Sequence, residues 1–220
     1  MRRSSLSALA VLAGSAALLL GCVPVSPSSS TPSSTPVASP SASTEPEVDA
    51  QLVISLDGVS FTDDDGTVTA AYDDSAALLA LLEDATGELP APEAVEGMEG
   101  YDVDMQSYDW EGLRVLADSA GAGPASIAVT AAEVDGITVT TEEGVGVGAT
   151  RAELLDAGGW ALVDDEDPTT AANLGLGGRE VPDTESLTHP GSVGTLYLLF
   201  LLDGDTVTQI NAPANDFSDV

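Results

Sequence analysis

Hydrophobic and polar positions fall into three regimes along the chain. From Ser4 to Cys22 the residues are uncharged and largely apolar, and from Val23 to Glu47 proline, serine and threonine displace any periodic pattern. From Val48 onward short β-branched runs alternate with Asp-Gly turns, the signature of strands and hairpins. Gln51 to Leu56 alternates into Asp57-Gly58. Val59-Ser60-Phe61 and Thr67 to Tyr72 flank Asp63-Asp64-Asp65-Gly66, which predicts a hairpin tip. Further strands are predicted over Gly112 to Ala117, Ser126 to Ala132 and Ile137 to Thr141. The clearest hairpin joins Thr195 to Leu202 and Thr206 to Asn211 through Asp203-Gly204-Asp205.

Two segments carry helical spacing instead. Leu78, Leu79, Leu81 and Leu82 form an apolar stripe over Ser75 to Ala85, with Asp74 placed to cap the start and Gly87 to stop the end. Arg151 to Ala157 is opened by a capping box, Thr150 with Glu153, and closed by Gly158; Leu154 and Leu155 supply its core face. The expected class is α+β: a mainly antiparallel sheet with two short helices on one face. The order strand, helix, strands occurs twice, split near residue 134, which suggests two β-α-β-β units in one sheet.

The first regime reads as an export signal. Arg2 and Arg3 precede an apolar stretch, Leu6 to Leu20, that is too short for a membrane span of ~20 residues. Leu19-Leu20-Gly21-Cys22 ends it and holds the sole cysteine. This arrangement resembles a bacterial lipoprotein signal peptide with its lipobox. The resemblance implies cleavage before Cys22, acylation of its sulfur, and anchoring of the mature protein on the extracytoplasmic face of the cell membrane. Two or more acyl chains hold stably, at ~0.8 kcal/mol per buried CH₂. The expected organisation is a signal peptide over 1–21, a disordered Pro/Ser/Thr-rich tether over 22–47 and an acidic α+β domain over 48–220. The tether lacks the apolar content to offset chain entropy, and its prolines keep it extended.

Charge narrows the partners. The chain has five Lys+Arg residues, all arginine, against 37 Asp+Glu. Loss of Arg2 and Arg3 leaves three arginines, Arg114, Arg151 and Arg179. Such a surface repels phosphate and argues against nucleic acid. Contact with the membrane is expected through the N-terminal lipid only, since anionic headgroups repel the domain within a screening length of ~8 Å. The arginine-only basic set, with abundant Ala, Gly, Val and Asp, resembles actinobacterial lipoproteins with a Ser/Pro/Thr stalk and an acidic α+β domain. Glu143-Gly144-Val145-Gly146-Val147-Gly148-Ala149-Thr150-Arg151, leading into the second helix, is also similar to the strand-turn-capped-helix of the beta-lactamase-inhibitor-protein fold and of the small lipoprotein of the outer-membrane assembly machine. Neither resemblance carries a catalytic residue.

Candidate chemistry is sparse. Gly144, Gly146 and Gly148 are spaced as a tight connection rather than a dinucleotide loop, and Glu142 and Glu143 oppose phosphate. Asp63 to Gly66 lacks the alternate ligands of a calcium loop. Asp164, Asp165 and Asp167 form the densest acidic run and are the candidate cation ligands, against the plainer expectation of a solvated loop. His189 is the only histidine and lies in a Thr-His-Pro-Gly turn; no G-x-S-x-G elbow accompanies it. Gly159 to Gly194 shows little regular pattern and holds Trp160, Arg179 and His189. Long loops of this kind are often functional, so these three are the candidate binding residues. The sequence therefore predicts a non-enzymatic, lipid-anchored domain without cofactor that binds a protein or envelope component through strand edges and loops. Its alternatives are a calcium- or solute-binding lipoprotein and an envelope hydrolase.

Overall fold

A computed structural model describes residues 49–97 and 103–217. The expected signal peptide, the expected tether and Cys22 lie outside the described residues. The fold is α+β. Thirteen strands form two sheets: β1 (Gln51–Ile54), β2 (Gly58–Asp63), β3 (Gly66–Ala71), β4 (Glu93–Ala94), β5 (Met105–Trp110), β6 (Leu113–Asp118), β7 (Ala125–Val129), β8 (Glu133–Val134), β9 (Ile137–Thr141), β10 (Trp160–Ala161), β11 (Asn173–Glu180), β12 (Thr195–Asp203) and β13 (Thr206–Asn215). Two helices, α1 (Ser75–Thr86) and α2 (Arg151–Asp156), stand among them.

The expected single sheet is two. The order β3-β2-β1-β9-β8 makes a five-stranded sheet, and β10-β11-β12-β13-β7-β6-β5-β4 makes an eight-stranded one. The repeated element order survives in altered form. In each half, strands of the small sheet lead into a helix, and the helix leads into a four-stranded meander of the large sheet. The halves join twice, β1 to β9 in parallel and β7 to β13 antiparallel. Each predicted strand could bury only one face, so period-two patterning named the strands but left open which sheet each one joins.

The antiparallel joint is held by a row of side chains in register. Leu174 lies opposite Phe200, Phe200 opposite Ile210, Ile210 opposite Val129, Val129 opposite Leu113, and Leu113 opposite Trp110. All six are buried and belong to one core cluster with Leu52, Ile54, Val59 and Phe61 of the small sheet. Cross-strand pairs of large apolar groups are the unit of sheet stability, and here they run unbroken across six strands.

The helices form where the sequence predicts. The Asp74 side chain accepts the Ala77 N–H at 3.0 Å, and Gly87 ends α1 in the left-handed region at φ +80°. Leu78, Leu79, Leu81 and Leu82 are buried, and α1 packs on β2 and β3 and reaches β6. The Thr150–Glu153 capping box is present at α2. Leu154 is fully buried; Leu155 is half-buried.

What fixes α2 is Arg151. Its side chain is 8% exposed, and Nε donates to Asp205 Oδ1 at 3.0 Å. Nη1 donates to the carbonyls of Pro168 and Ala171 at 3.0 and 2.7 Å, and Nη2 to that of Gly204 at 2.6 Å. One guanidinium thus ties the start of α2, the β12–β13 hairpin tip and the 168–171 segment. Asp205 is 85% exposed and contributes little as an ion-pair partner; the carbonyl bonds are the substance of the contact. Arg151→Ala is expected to cost ~3 kcal/mol by orphaning three carbonyls, lowering the melting temperature by about 6–12 °C. Asp205→Ala should cost under ~1 kcal/mol. Thermal unfolding of the two variants checks the difference.

Candidate functional site

The stretch from Gly159 to Gly194, expected as an irregular loop, contains β10 and the eight-residue β11. Three of the six residues Asn173-Leu174-Gly175-Leu176-Gly177-Gly178 are glycine, at alternate and then consecutive positions, which dilutes the strand signal below recognition. The glycines have local reasons. A Cβ on Gly175 would lie 2.6 Å from the Trp160 ring, so its absence seats the indole over β11. Gly177 adopts φ +65° where the β11–β12 register shifts between Leu176 and Arg179. Such a bulge re-aims the residues that follow it.

Trp160 is consequently a packed residue. Its Nε1 donates to the Gly177 carbonyl at 2.9 Å, and its ring meets Tyr197 edge-on at 5.4 Å between centroids. Arg179 follows the bulge and pairs with the Asp57 carboxylate in the β1–β2 turn, joining the two sheets. Both groups are largely exposed. Trp160 and Arg179 are thus organised by the same strand, whereas His189 belongs elsewhere.

His189 sits in a polar cluster around the chain's C-terminal segment. Its Nε2 lies 2.9 Å from Asp164 Oδ1 and its Nδ1 2.9 Å from Thr188 Oγ1. Beside it, Asp216 accepts from the Ser186 hydroxyl at 2.5 Å, the Thr195 N–H at 2.6 Å and the Thr188 hydroxyl at 3.1 Å. Burial pushes the Asp216 carboxyl up, but the bonds from Ser186, Thr195 and Thr188 and the nearby His189 outweigh it, and the net shift is downward. Ser186 donates to Asp216 and not to the imidazole, whereas the Thr188 hydroxyl is shared between Asp216 and His189 Nδ1. This cluster acts as a clasp between the 186–189 turn and the end of β13.

The acidic run does not converge. Asp164 faces His189, and Asp167 accepts from the N–H and hydroxyl of Thr169 at 2.9 and 2.7 Å, which holds its carboxyl below the ordinary range. Asp165 is exposed. Among the described residues no group of three or more His, Cys, Asp or Glu side chains is arranged to hold a metal ion. The candidate cation ligands are thereby separated: two are engaged by local partners, and neighbours in sequence point to different ones.

The site that the tertiary structure does assemble is a cleft of about 370 Å³ at the junction of the sheets. Leu56, Pro124 and Leu196 line it together with Tyr72, and the exposed Arg179–Asp57 pair borders it. Tyr72 is 6% exposed, and its hydroxyl has no hydrogen-bond partner among the described residues. Burial pushes the phenol up, so it stays a neutral donor. Leaving such a group unpaired costs ~1–3 kcal/mol. Of this cleft, the sequence singled out Arg179 alone. Leu56, Tyr72 and Leu196 read as ordinary strand residues, and no local signal separates them from the core.

No protein-family model, curated protein or solved structure matches this chain.

The lowered Asp216 carboxyl makes a pH prediction. A carboxyl depressed in the folded state stabilises fully above its unfolded value of about 3.9, and that stability is lost as pH falls through the lower folded value. Asp216→Asn should therefore lower stability by ~1–2 kcal/mol at neutral pH. The gap to the parent protein should close on acidification below about pH 4. Denaturant midpoints measured across this range check it.

Proposed function

We propose that this protein is a lipid-anchored, extracytoplasmic binding protein of the cell envelope, without enzymatic activity of its own. The observation that carries the binding reading is the cleft beside Arg179. An apolar wall and an exposed cation meet there on a space large enough for a small group or side chain. The chemistry suits an apolar body bearing a carbonyl or carboxylate oxygen, as a peptide or an envelope component presents. Arg179 exchanges its Asp57 partner for that oxygen. The N-terminal pattern supports the location: the Gly21-Cys22 junction would carry the lipid, and the proline-rich tether would hold the acidic domain clear of the membrane.

A calcium-binding reading would require Asp164 and Asp167 to leave His189 and Thr169. A hydrolase reading would require Thr188 or Ser186 to leave Asp216. Both start from engaged groups, and no observation favours either over the cleft.

Two measurements test the proposal. Metabolic labelling with palmitate should mark the wild-type protein and leave Cys22→Ala unmarked, and the variant should move from the membrane pellet to the soluble fraction. Arg179→Ala should reduce recovery of whatever co-purifies from intact cells at least fivefold. Its melting temperature should stay within ~4 °C of the parent, because an exposed ion pair contributes under ~1 kcal/mol. An unlabelled wild-type protein would overturn the anchor; unchanged recovery with Arg179→Ala would overturn the cleft.

A further inference from the structure

Four strands lie at sheet edges, and three of them are cut to two residues: β4, β8 and β10. The strands beneath those three are also covered beyond the short edge. Val95 N–H reaches the Met105 carbonyl next to β4. Past β8, the N–H of Val139 donates to Ala132 and that of Thr141 to Val145. Past β10, the bulge of β11 breaks the edge and Trp160 occupies the Gly177 carbonyl. Short, covered or bulged edges are the usual protection against strand addition.

Among the described residues the fourth edge, β3, has none of these devices. It is six residues long, Gly-Thr-Val-Thr-Ala-Ala, with no charge, no proline and no bulge, and five of the six are exposed. Asp63 pairs with Gly66 across a two-residue turn, so hydrogen-bonded pairs fall at Gly66, Val68 and Ala70. The N–H and C=O groups of Thr67 and Thr69 then point away from β2. Their side chains agree with this phase: Thr67 meets Thr62 and Thr69 meets Ser60, each at 2.9 Å, the close approach of non-hydrogen-bonded pairs. The Ala71 carbonyl, next in the same phase, is taken by Asp74 N–H. No bond to the outward groups of Thr67 or Thr69 is formed among the described residues.

The surroundings specify the occupant. Asp63 and Asp65 lie at one end of β3, Asp73 and Asp74 at the other, and Asp84 of α1 lies beside Val68. Among the described residues none of these five is in an ion pair, and all three arginines of the domain are paired elsewhere, with Asp109, Asp205 and Asp57. A second copy pairing through this edge would bring acid against acid. The chain's own tether has a proline every few residues and no cation, so it can neither complete a ladder nor satisfy the charge.

We propose that the β3 edge accepts an extended, cationic segment of another protein as an added strand. Backbone bonds to Thr67 and Thr69 supply the register, and basic side chains on either flank meet the acidic ends, which lie about 20 Å apart. The inference deepens the binding reading above by naming a partner class, and it stands independently of the cleft, which opens where β3 ends at Ala71 and Tyr72.

The probe is a capped nonapeptide, Lys-Lys-Thr-Val-Thr-Val-Thr-Lys-Lys, titrated into the full chain with amide exchange read by residue. The expected result is protection concentrated at Thr67 and Thr69. Binding should weaken at least tenfold when alternate probe amides are N-methylated, and similarly when serine replaces the probe lysines. Thr69→Pro, which removes an outward N–H and no β2–β3 bond, should also abolish protection; the N-methylated probe gives the same test with the protein unaltered. Equal binding of the N-methylated peptide would overturn strand addition. Equal binding of the uncharged peptide would overturn the cationic requirement. Protection of the same amides by self-association would assign the edge to a second copy and overturn the proposal. Arg179→Ala should leave this binding unchanged; if it abolishes it, the probe sits in the cleft and the edge assignment falls while the cleft reading stands.

Discussion

The antiparallel joint between β7 and β13 is the contact on which the architecture depends. It is short, with Ile210, Asn211 and Ala212 opposite Val129, Ala128 and Ile127. Yet it fuses a meander from the first half of the chain to one from the second. The buried row from Leu174 to Trp110 passes straight through it. A one-residue slip at this joint would turn Ile210 and Ala212 to the solvent side and bring Asn211 into the core. The inward phase of β13 is therefore dictated by burial, and the rest of the eight-stranded sheet takes its register from it. The parallel pairing of β1 with β9 then has only to close the smaller sheet over the same core.

Positive charge is scarce in this domain, and its use is correspondingly informative. Each of its three arginines meets an aspartate, but the three pairs do different work. Arg151 is buried and spends its donors on backbone carbonyls, so it is a structural clamp. Arg114 and Arg179 remain half-exposed, and Arg179 alone bridges the two sheets. Most of the other acids among the described residues are exposed, whereas Asp216 is held inside its hydrogen-bonded clasp. The acidic excess keeps the domain soluble and opposes self-association, and it explains why a long uncharged edge such as β3 can be tolerated: any copy of the same chain arrives with the wrong sign at both ends.

The cleft and the open edge share one origin. β3 runs out along the exposed side of the small sheet and ends at Ala71 and Tyr72, where the chain turns into α1 and the two sheets meet. Tyr72 is buried there, with its carbonyl accepting the Ala125 N–H at 2.6 Å, and its hydroxyl has no partner among the described residues. The bulge in β11 supplies the other wall by bringing Arg179 to Asp57. Neither feature would exist if the strands before α1 lay in the same sheet as those after it.

Local patterns in the sequence were sufficient for the class, both helices with their caps, and the hairpins at Asp63-Gly66 and Asp203-Asp205. Those features depend on residues within one turn or one strand pair, so short-range periodicity and capping chemistry encode them. β5 and β11 escaped because Met105-Gln106-Ser107-Tyr108-Asp109-Trp110 mixes polar and aromatic residues without clean alternation and β11 is diluted by glycine. Partner choice among strands, the division into two sheets, the buried role of Arg151 and the grouping of Tyr72 with Arg179 came from tertiary structure alone. Each joins residues separated by tens of positions, through packing and backbone bonds whose energy depends on the assembled core, and no local propensity carries that information.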